Sequence, residues 1–405
     1  MNAPPRRRVL VTYGWCRTAY SAAESLCRAG YDVFGCANSP ASMVRFSRFT
    51  RGFDRVASPF RFPLRYVEDL VMVVRKRRID VLLPVHEDAL VIARHRDLFP
   101  KELIVACPSY EELVRALDKN EIADVALKVG IRVPRKIVPA NADEAAESAS
   151  GLGFPVIVKT RRGNSGKGVR LARSAEETRS AFEDFVDRFD LPPDRAPILQ
   201  EYIEGDLFGT CFLAKNGELK ACFAEKYLRW KDGKSGTSVL REPLEGAVLT
   251  EATKKMVRAL GWTGIGHFDF VGDLEASRTF LLEMNPRFWG ALNLAVGNGY
   301  DFPRGLVTMH ETGEPEPESF VHRPERVKSL WILGEMIAAF SEFRRGDISA
   351  LPRSFRRIFC PGEKMIYDDF RLSDPLPFLS EMVHYAMRFA GSGFKINPDE
   401  KEMMR

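Results

Sequence analysis

A chain of 405 residues exceeds one ordinary hydrophobic core and predicts two or three domains. Its composition, 45% hydrophobic and 28% charged, is that of a globular protein, and a net charge of +5 is too mild and too scattered to argue for nucleic acid. No apolar run nears the about 18 residues of a membrane span, the basic start Met1–Arg8 leads straight into Val9–Thr12 without a signal-peptide core, and the cysteines lack C-x-x-C spacing, against a disulfide framework or zinc site; the expected setting is the cytoplasm.

Residues 1–115 alternate short apolar runs with helical patterns: Val9–Val11, Ala19–Ala29, Val33–Cys36, Val67–Val74, Val81–Pro84, Ala89–Ala93 and Ile104–Cys107. Such alternation predicts a parallel sheet in a Rossmann-like α/β domain. After Gly14 the next glycine is Gly30, so the G-x-G-x-x-G fingerprint is missing, and no acidic residue closes the second strand at Ala37–Ser39. A nicotinamide dinucleotide site, and with it a plain dehydrogenase, is not expected here.

Asp118 is placed to cap a helix through Glu121, with Ile122, Val125, Ala126 and Val129 as its apolar stripe and Gly130 as its stop. Lys119 lies in the first turn, off that stripe, and is expected to face outward beside amides that favour anions. Further on, Pro155–Lys159 reads as a strand, Gly163–Gly168 as a flexible loop and Val169–Leu171 as the return strand. Ser174 then caps a helix whose stripe is Phe182, Phe185, Val186 and Phe189, and Pro192-Pro193 breaks the chain before a strand over Ile198–Ile203. Glycines let loop amides approach phosphate oxygens. The loop fails the Walker A spacing, because two residues rather than four precede Gly166-Lys167, and Gly168 stands where Ser or Thr is required.

Strand-rich sequence continues to about residue 300, interrupted by a polar, basic loop at 229–238. The run Phe280–Arg287 delivers Glu283, Asn285 and Arg287 at alternating positions, which share a face if the extended geometry lasts that long. Asp269, in His267–Phe270, lies about one hairpin earlier and can supply a second carboxylate. Hard oxygen ligands beside an arginine suit Mg2+ and the phosphates it carries. Glu311–Glu318 reads as an acidic, proline-containing linker, and 325–405 as helical, with Trp331–Leu333 and Phe378-Leu379 as core, a dimer surface or a weak membrane contact.

Five elements in this order resemble the ATP-grasp superfamily, whose members include D-alanine–D-alanine ligase, biotin carboxylase and carbamoyl phosphate synthetase. Asp118-Lys119 resembles the first phosphate-binding lysine and Phe154–Lys159 the second. Gly163–Val169 resembles the mobile glycine loop, Leu199–Gly205 the strand that holds adenine, and Asp269 with Glu283–Arg287 the metal and phosphate site. The likeness covers roughly residues 118–300. It implies a Rossmann-like pre-ATP-grasp domain over 1–115, a two-lobed α+β ATP-grasp domain over 116–310 (lobes 116–200 and 201–310), and a linker with a helical C-terminal extension over 311–405.

The resemblance further implies ATP and Mg2+, with Mn2+ as its substitute. Lys119 and Lys159 would hold the α- and β-phosphates, with Gly163, Ser165, Gly166, Lys167 and Gly168 closing over them. Adenine would meet the backbone of Glu201 and Ile203, around Tyr202, with a side-chain contact from Gln200 or Glu201, while Glu204 and Asp206 compete for the ribose. Asp269, Glu283 and Asn285 would hold the metal, and Arg287 would neutralise charge on the transferring phosphoryl group or on an acyl phosphate. His267 stands where D-alanine–D-alanine ligase has an arginine that supports the intermediate, and the basic loop 229–238 would border the γ-phosphate and the acceptor. The implied function is ligation of a small-molecule carboxylate to an amine through an acyl phosphate, in a protein compatible with a homodimer. A bicarbonate-using carboxylase or carbamoyl-phosphate-type enzyme is the alternative, and a non-catalytic nucleotide-binding module a third.

Overall fold

The computed structural model describes residues 6–163, 166–232, 235–321, 323 and 326–392. The first sheet holds strands β1 (Arg8–Val11), β2 (Asp32–Ala37), β3 (Gly52–Arg55), β4 (Val81–Leu83) and β5 (Ile104–Val105) in the order β3-β2-β1-β4-β5, all parallel. Val9–Val11 and Val81–Leu83 are buried throughout, as strands covered on both faces must be. Helices Arg17–Arg28 and Pro63–Arg77 make the crossovers. Because β1 sits between β2 and β4, the strand order reverses there, and the loops leaving β1 and β4 open at the carboxyl edge. β3 has no apolar run and was not legible as a strand.

The second sheet runs β6 (Lys136–Ile137), β9 (Ile198–Glu201), β7 (Val156–Lys159) and β8 (Val169–Ala172), with β7 and β8 an antiparallel hairpin around the glycine loop. Helices Ala142–Leu152 and Ala175–Phe189 bury Ala145, Ala149, Phe182, Phe185 and Phe189 in a core with this sheet. The Ser174 hydroxyl accepts from the Glu177 amide, so this helix starts where its cap residue places it.

The third sheet is seven-stranded: β14 (Arg278–Asn285), β13 (Gly264–Asp273), β10 (Asp206–Lys215), β11 (Glu218–Asp232), β12 (Ser235–Leu244), β15 (Lys328–Leu330) and β16 (Met365–Tyr367). Its pairs are antiparallel apart from β15 with β16.

Three sequence expectations change here. The polar loop 229–238 is largely strand, since β11 runs to Asp232 and β12 starts at Ser235; Trp230 still pairs with Ser238 through an irregular register. Gly233 and Lys234 lie outside the described residues. The acidic segment 311–318 is fastened down rather than a linker: Glu314 pairs with Lys215 and Lys220, Glu316 with Arg304, and Glu311 accepts from the Tyr31 hydroxyl. Its carboxylates meet fixed cations, which composition alone does not reveal. The region after 325 forms helices Ile332–Arg344, Ala350–Phe359 and Leu376–Ser392, and it also adds β15 and β16 to the sheet edge. Trp331 and Leu333 are core there, Phe378 packs against them, and Leu379 is exposed. No helix of the described residues is long and apolar enough to cross a membrane.

Candidate active site

In the β13–β14 hairpin Asp269 faces Glu283 and His267 faces Asn285 as register partners. Alternation sends Phe268 and Phe270 into the core and leaves His267 and Asp269 on the other face. A register shift follows Asp269, and β14 stops at Asn285, so Arg287 lies just beyond the extended stretch. Its side chain still reaches the site: Nε donates to Glu87 at 2.7 Å, Nη1 to the Phe288 carbonyl at 2.8 Å and Nη2 to Asn285 Oδ1 at 3.3 Å.

Asp269 accepts from the Tyr227 hydroxyl at 2.7 Å and from Asn285 Nδ2 at 2.9 Å. Tyr227 also meets His267 Nε2 at 3.0 Å. Burial, reinforced by Glu283, raises the Asp269 carboxyl above the usual range despite His267. Burial acts the same way on Glu283, but Lys119 and Lys159 outweigh it and hold that carboxyl below the usual range. Burial alone would lower the pKa of His267; Asp269 and Glu225 outweigh it and raise it.

Lys119 does not face outward. It is only 6% exposed, its ammonium donating to the Gly163 carbonyl at 3.0 Å and standing 3.4 Å from Glu283. The Asp118 cap accepts from Asn120 and Glu121 amides and pairs with Arg161, which turns the first helical turn toward the glycine loop. Lys159, at the end of β7, donates to the Leu282 carbonyl at 3.2 Å. Burial pushes its pKa down to about 7, with Glu283 opposing and Lys119 adding to the fall.

These groups open on a cavity of about 950 Å³, lined by Lys119, Lys159, Gly163, Gly166, Gly168, His267, Asp269, Glu283, Asn285 and Arg287 and, at its far end, by residues 200–206. Gly163 and Gly166 take φ of +122° and +72°, a backbone region that favours glycine. Lys167 is exposed. Ser165, with Asn164, lies outside the described residues. Gln200 is buried in β9. The Glu201 carboxylate is held by Arg135 at 3.0 Å, and Gln200 and Glu201 both line the far end of the cavity. Asp206 is paired with Lys226, whereas Glu204 is exposed at the rim.

Arg229, from the basic segment, does not line the cavity and is bound by Glu335 and Glu342, both at 2.8 Å.

Sequence reasoning missed Tyr227, Glu225, Glu87, Trp15 and Arg17. Glu225 and Tyr227 alternate on β11, two strands from β13, and reach His267 and Asp269 respectively because Gly209 on the intervening β10 has no side chain. Cys211, Glu225 and His267 gather their ligand atoms within 4.8 Å of one another, from three strands that no local spacing pattern joins. Trp15 from the loop after β1, Arg17 from the first turn of the helix that follows it and His86 from the loop after β4 lie at the switch point of the first sheet, a position the strand order makes recognisable.

The family profile of the ATP-grasp domain matches residues 116–291. The chain carries an ATP-grasp domain. Formate-dependent phosphoribosylglycinamide formyltransferase of Bacteroides fragilis is 30% identical over 228 residues, 54% of this chain and 57% of that protein. Biotin carboxylase 1 of Bacillus subtilis is 28% identical over 193 residues, 42% and 41% of the two chains. The chain thus spans under two thirds of the length of these curated relatives. Among solved structures, biotin carboxylase of Campylobacter jejuni in complex with an ATP analogue superposes with a TM-score of 0.65 at 16% identity, covering 80% of this chain and 74% of that one. N5-carboxyaminoimidazole synthetase of Staphylococcus aureus with ADP gives 0.63 at 15%, covering 83% and 86%. At that identity the likeness establishes the ATP-grasp fold, with the α/β sheet ahead of it.

Proposed function

We propose that this chain is an ATP-dependent ligase that activates a carboxylate as an acyl phosphate and joins it to an amine, releasing ADP and phosphate. In this reading 1–115 is the pre-ATP-grasp domain, 116–310 the two-lobed ATP-grasp domain and 311–405 an extension, and the protein works in the cytoplasm. The observation that carries the proposal is the convergence of two buried lysines and two register-paired carboxylates on one cavity. Like charges directly opposite on a sheet repel, so Asp269 beside Glu283 makes sense as half of a site completed by a cation. Their hard oxygens fit Mg2+. Asn285 is committed to Asp269 and Arg287 on both sides of its amide, so it serves better in fixing those side chains than as the first ligand.

The chemistry follows from the poor electrophilicity of a carboxylate. Its oxygen attacks the γ-phosphorus, ADP leaves, and the resulting acyl phosphate offers a carbonyl carbon with phosphate as leaving group. The amine then attacks that carbon, the C–O bond breaks, and phosphate departs with the former carboxylate oxygen. Lys119 and Lys159 counter phosphate charge, and Arg287 stabilises charge as it develops. The Gly163–Gly168 hairpin loop excludes water from the acyl phosphate. Mg2+, when bound, supplies further charge neutralisation at the β- and γ-phosphates. Tyr227 and His267 hold Asp269 in place.

The test is to incubate the protein with MgATP and panels of carboxylates, bicarbonate included, and amines. ADP and phosphate are expected, with oxygen-18 from the labelled carboxylate appearing in the phosphate. AMP and pyrophosphate, or label retained wholly in product, would sink the reading in favour of adenylation. Nucleotide binding without turnover across a broad panel would favour the non-catalytic module.

A further inference from the structure

Beyond the phosphate end, the cavity continues between the loop after β1, the start of the helix Ile332–Arg344 and the helix Leu376–Ser392, where Trp15, Arg17, Trp331, Glu381 and Tyr385 line it. A basic and an acidic side chain share that end of the cavity. The Arg17 guanidinium lies over the Trp331 ring at 3.9 Å; its Nε donates to the Gly290 carbonyl at 3.0 Å and stands 3.9 Å from Asp368, and among the described residues it makes no other hydrogen bond. The Nη groups, the paired donors suited to a carboxylate, remain for a ligand. Glu381 is 1% exposed, and its Oε2 has no hydrogen-bond partner among the described residues. A buried carboxyl oxygen without a partner carries a desolvation cost that a bound donor would relieve.

The neighbouring charges are already used. Arg241 is spent on Asp368 at 2.6 Å, and Asp369 accepts the Ile332 and Leu333 amides at the helix start. Burial, and then Asp369, raises the Glu381 carboxyl well above the usual range against the opposing Arg17 charge and the Trp331 indole, so a further positive charge would be stabilised in this corner. The rest of the wall is aromatic. Trp331 and Tyr385 stand 6.0 Å apart, and Trp15 is fixed by stacking on His384 at 4.5 Å.

We propose that this end of the cavity is a substrate subsite for an α-amino acid with a large apolar or aromatic side chain: carboxylate on Arg17, amino group on Glu381, side chain against Trp15, Trp331 and Tyr385. Naming that ligand the amine substrate rests on the ligase reading; the binding site itself does not.

The test is calorimetric binding of L-phenylalanine, phenethylamine and 3-phenylpropanoate to the full chain with a non-hydrolysable ATP analogue and Mg2+. L-Phenylalanine should bind about tenfold or more tighter than either truncated probe, the range of one charge-assisted hydrogen bond. Glu381→Gln should lose that advantage for both amines yet bind 3-phenylpropanoate as the parent does. Arg17→Gln should lose it for both carboxylates yet keep phenethylamine, so each variant carries its own folding control, and Arg17→Lys should retain part of the carboxylate binding. The proposal is overturned if L-phenylalanine does not bind, binds no tighter than its fragments, or if both variants weaken all three probes alike. Binding of L-phenylalanine without ADP formation would sink its role as ligase substrate and leave the subsite standing; ADP formation with other amines and no L-phenylalanine binding would do the reverse.

Discussion

Arg287 and Glu87 meet at 2.7 Å across 200 positions of sequence, tying the end of β14 to the loop after β4. The side chains are 12% and 9% exposed, so the pair is closed to most solvent. It couples the first sheet to the end of the β13–β14 hairpin and holds the guanidinium in place. Glu87→Ala leaves a buried, uncompensated arginine, which costs about 3–5 kcal/mol. A urea unfolding curve should therefore shift to lower midpoint, and Glu87→Gln, which keeps an acceptor for Arg287 Nε but removes the counter-charge, should shift it by less. Equal stability of the alanine variant would show that the pair carries no such coupling.

Lys159 sets a pH dependence for nucleotide binding. Its pKa near 7 in the free protein reflects burial, and a polyphosphate beside it should restore the value toward the ordinary one of about 10.4. Below pH 7 the lysine is already charged and this group adds no slope. Above pH 7 binding must take up a proton, so affinity should fall as pH rises, by up to about tenfold per unit. Calorimetry in buffers of different ionisation enthalpy at pH 8 should detect close to one proton absorbed, and Lys159→Met should abolish the uptake. A flat affinity from pH 7 to 9 would remove Lys159 from the phosphate contact.

The hairpin that presents Asp269 to Glu283 was legible because both strands combine apolar alternation with polar residues in step, a local pattern. The parallel sheet was legible for the same reason, each buried strand being a run such as Val9–Val11. What was not legible depends on partners distant in sequence. Lys119 reads as an exposed first-turn residue until Gly163 and Glu283 are folded over it. Arg229 reads as a substrate-facing cation until Glu335 and Glu342 arrive from a helix about a hundred residues later. Glu314 and Glu316 read as linker charges until Lys215, Lys220 and Arg304 meet them. Period and capping are short-range signals, whereas ion-pair partners are set by topology.

Substitutions at Asp269 and Glu283 should differ in stability and agree in activity. Removing charge from Asp269, which is raised by burial and by its facing carboxylate, relieves repulsion; Asp269→Asn without Mg2+ should stay within about 1 kcal/mol of the parent. Glu283 is the counter-charge of two buried lysines, so Glu283→Gln should cost about 1–3 kcal/mol. Both variants should lose Mg2+-dependent ATP cleavage, measured as ADP release over a metal titration. Wild-type cleavage at saturating Mg2+ in either variant would place the metal elsewhere.

Gly209 lies on β10 between the strands that carry Tyr227 and Asp269, and an added Cβ there would come within 2.5 Å of His267 Nε2 and 2.6 Å of the Tyr227 hydroxyl. Both lengths are below van der Waals contact, so Gly209→Ala must push the hydroxyl, the imidazole or both off Asp269. Overpacking of this kind costs about 1–3 kcal/mol, and turnover should fall because Asp269 loses the donor that orients it. Tyr227→Phe removes that donor while keeping the ring, and should lower turnover with a smaller loss of stability. In the double variant the new methyl no longer meets a hydroxyl, so the two substitutions should be less than additive, coupled by about 0.5–3 kcal/mol. Strict additivity in unfolding free energy would mean that the methyl strikes only His267, and that the tyrosine hydroxyl is held by something other than the space above Gly209.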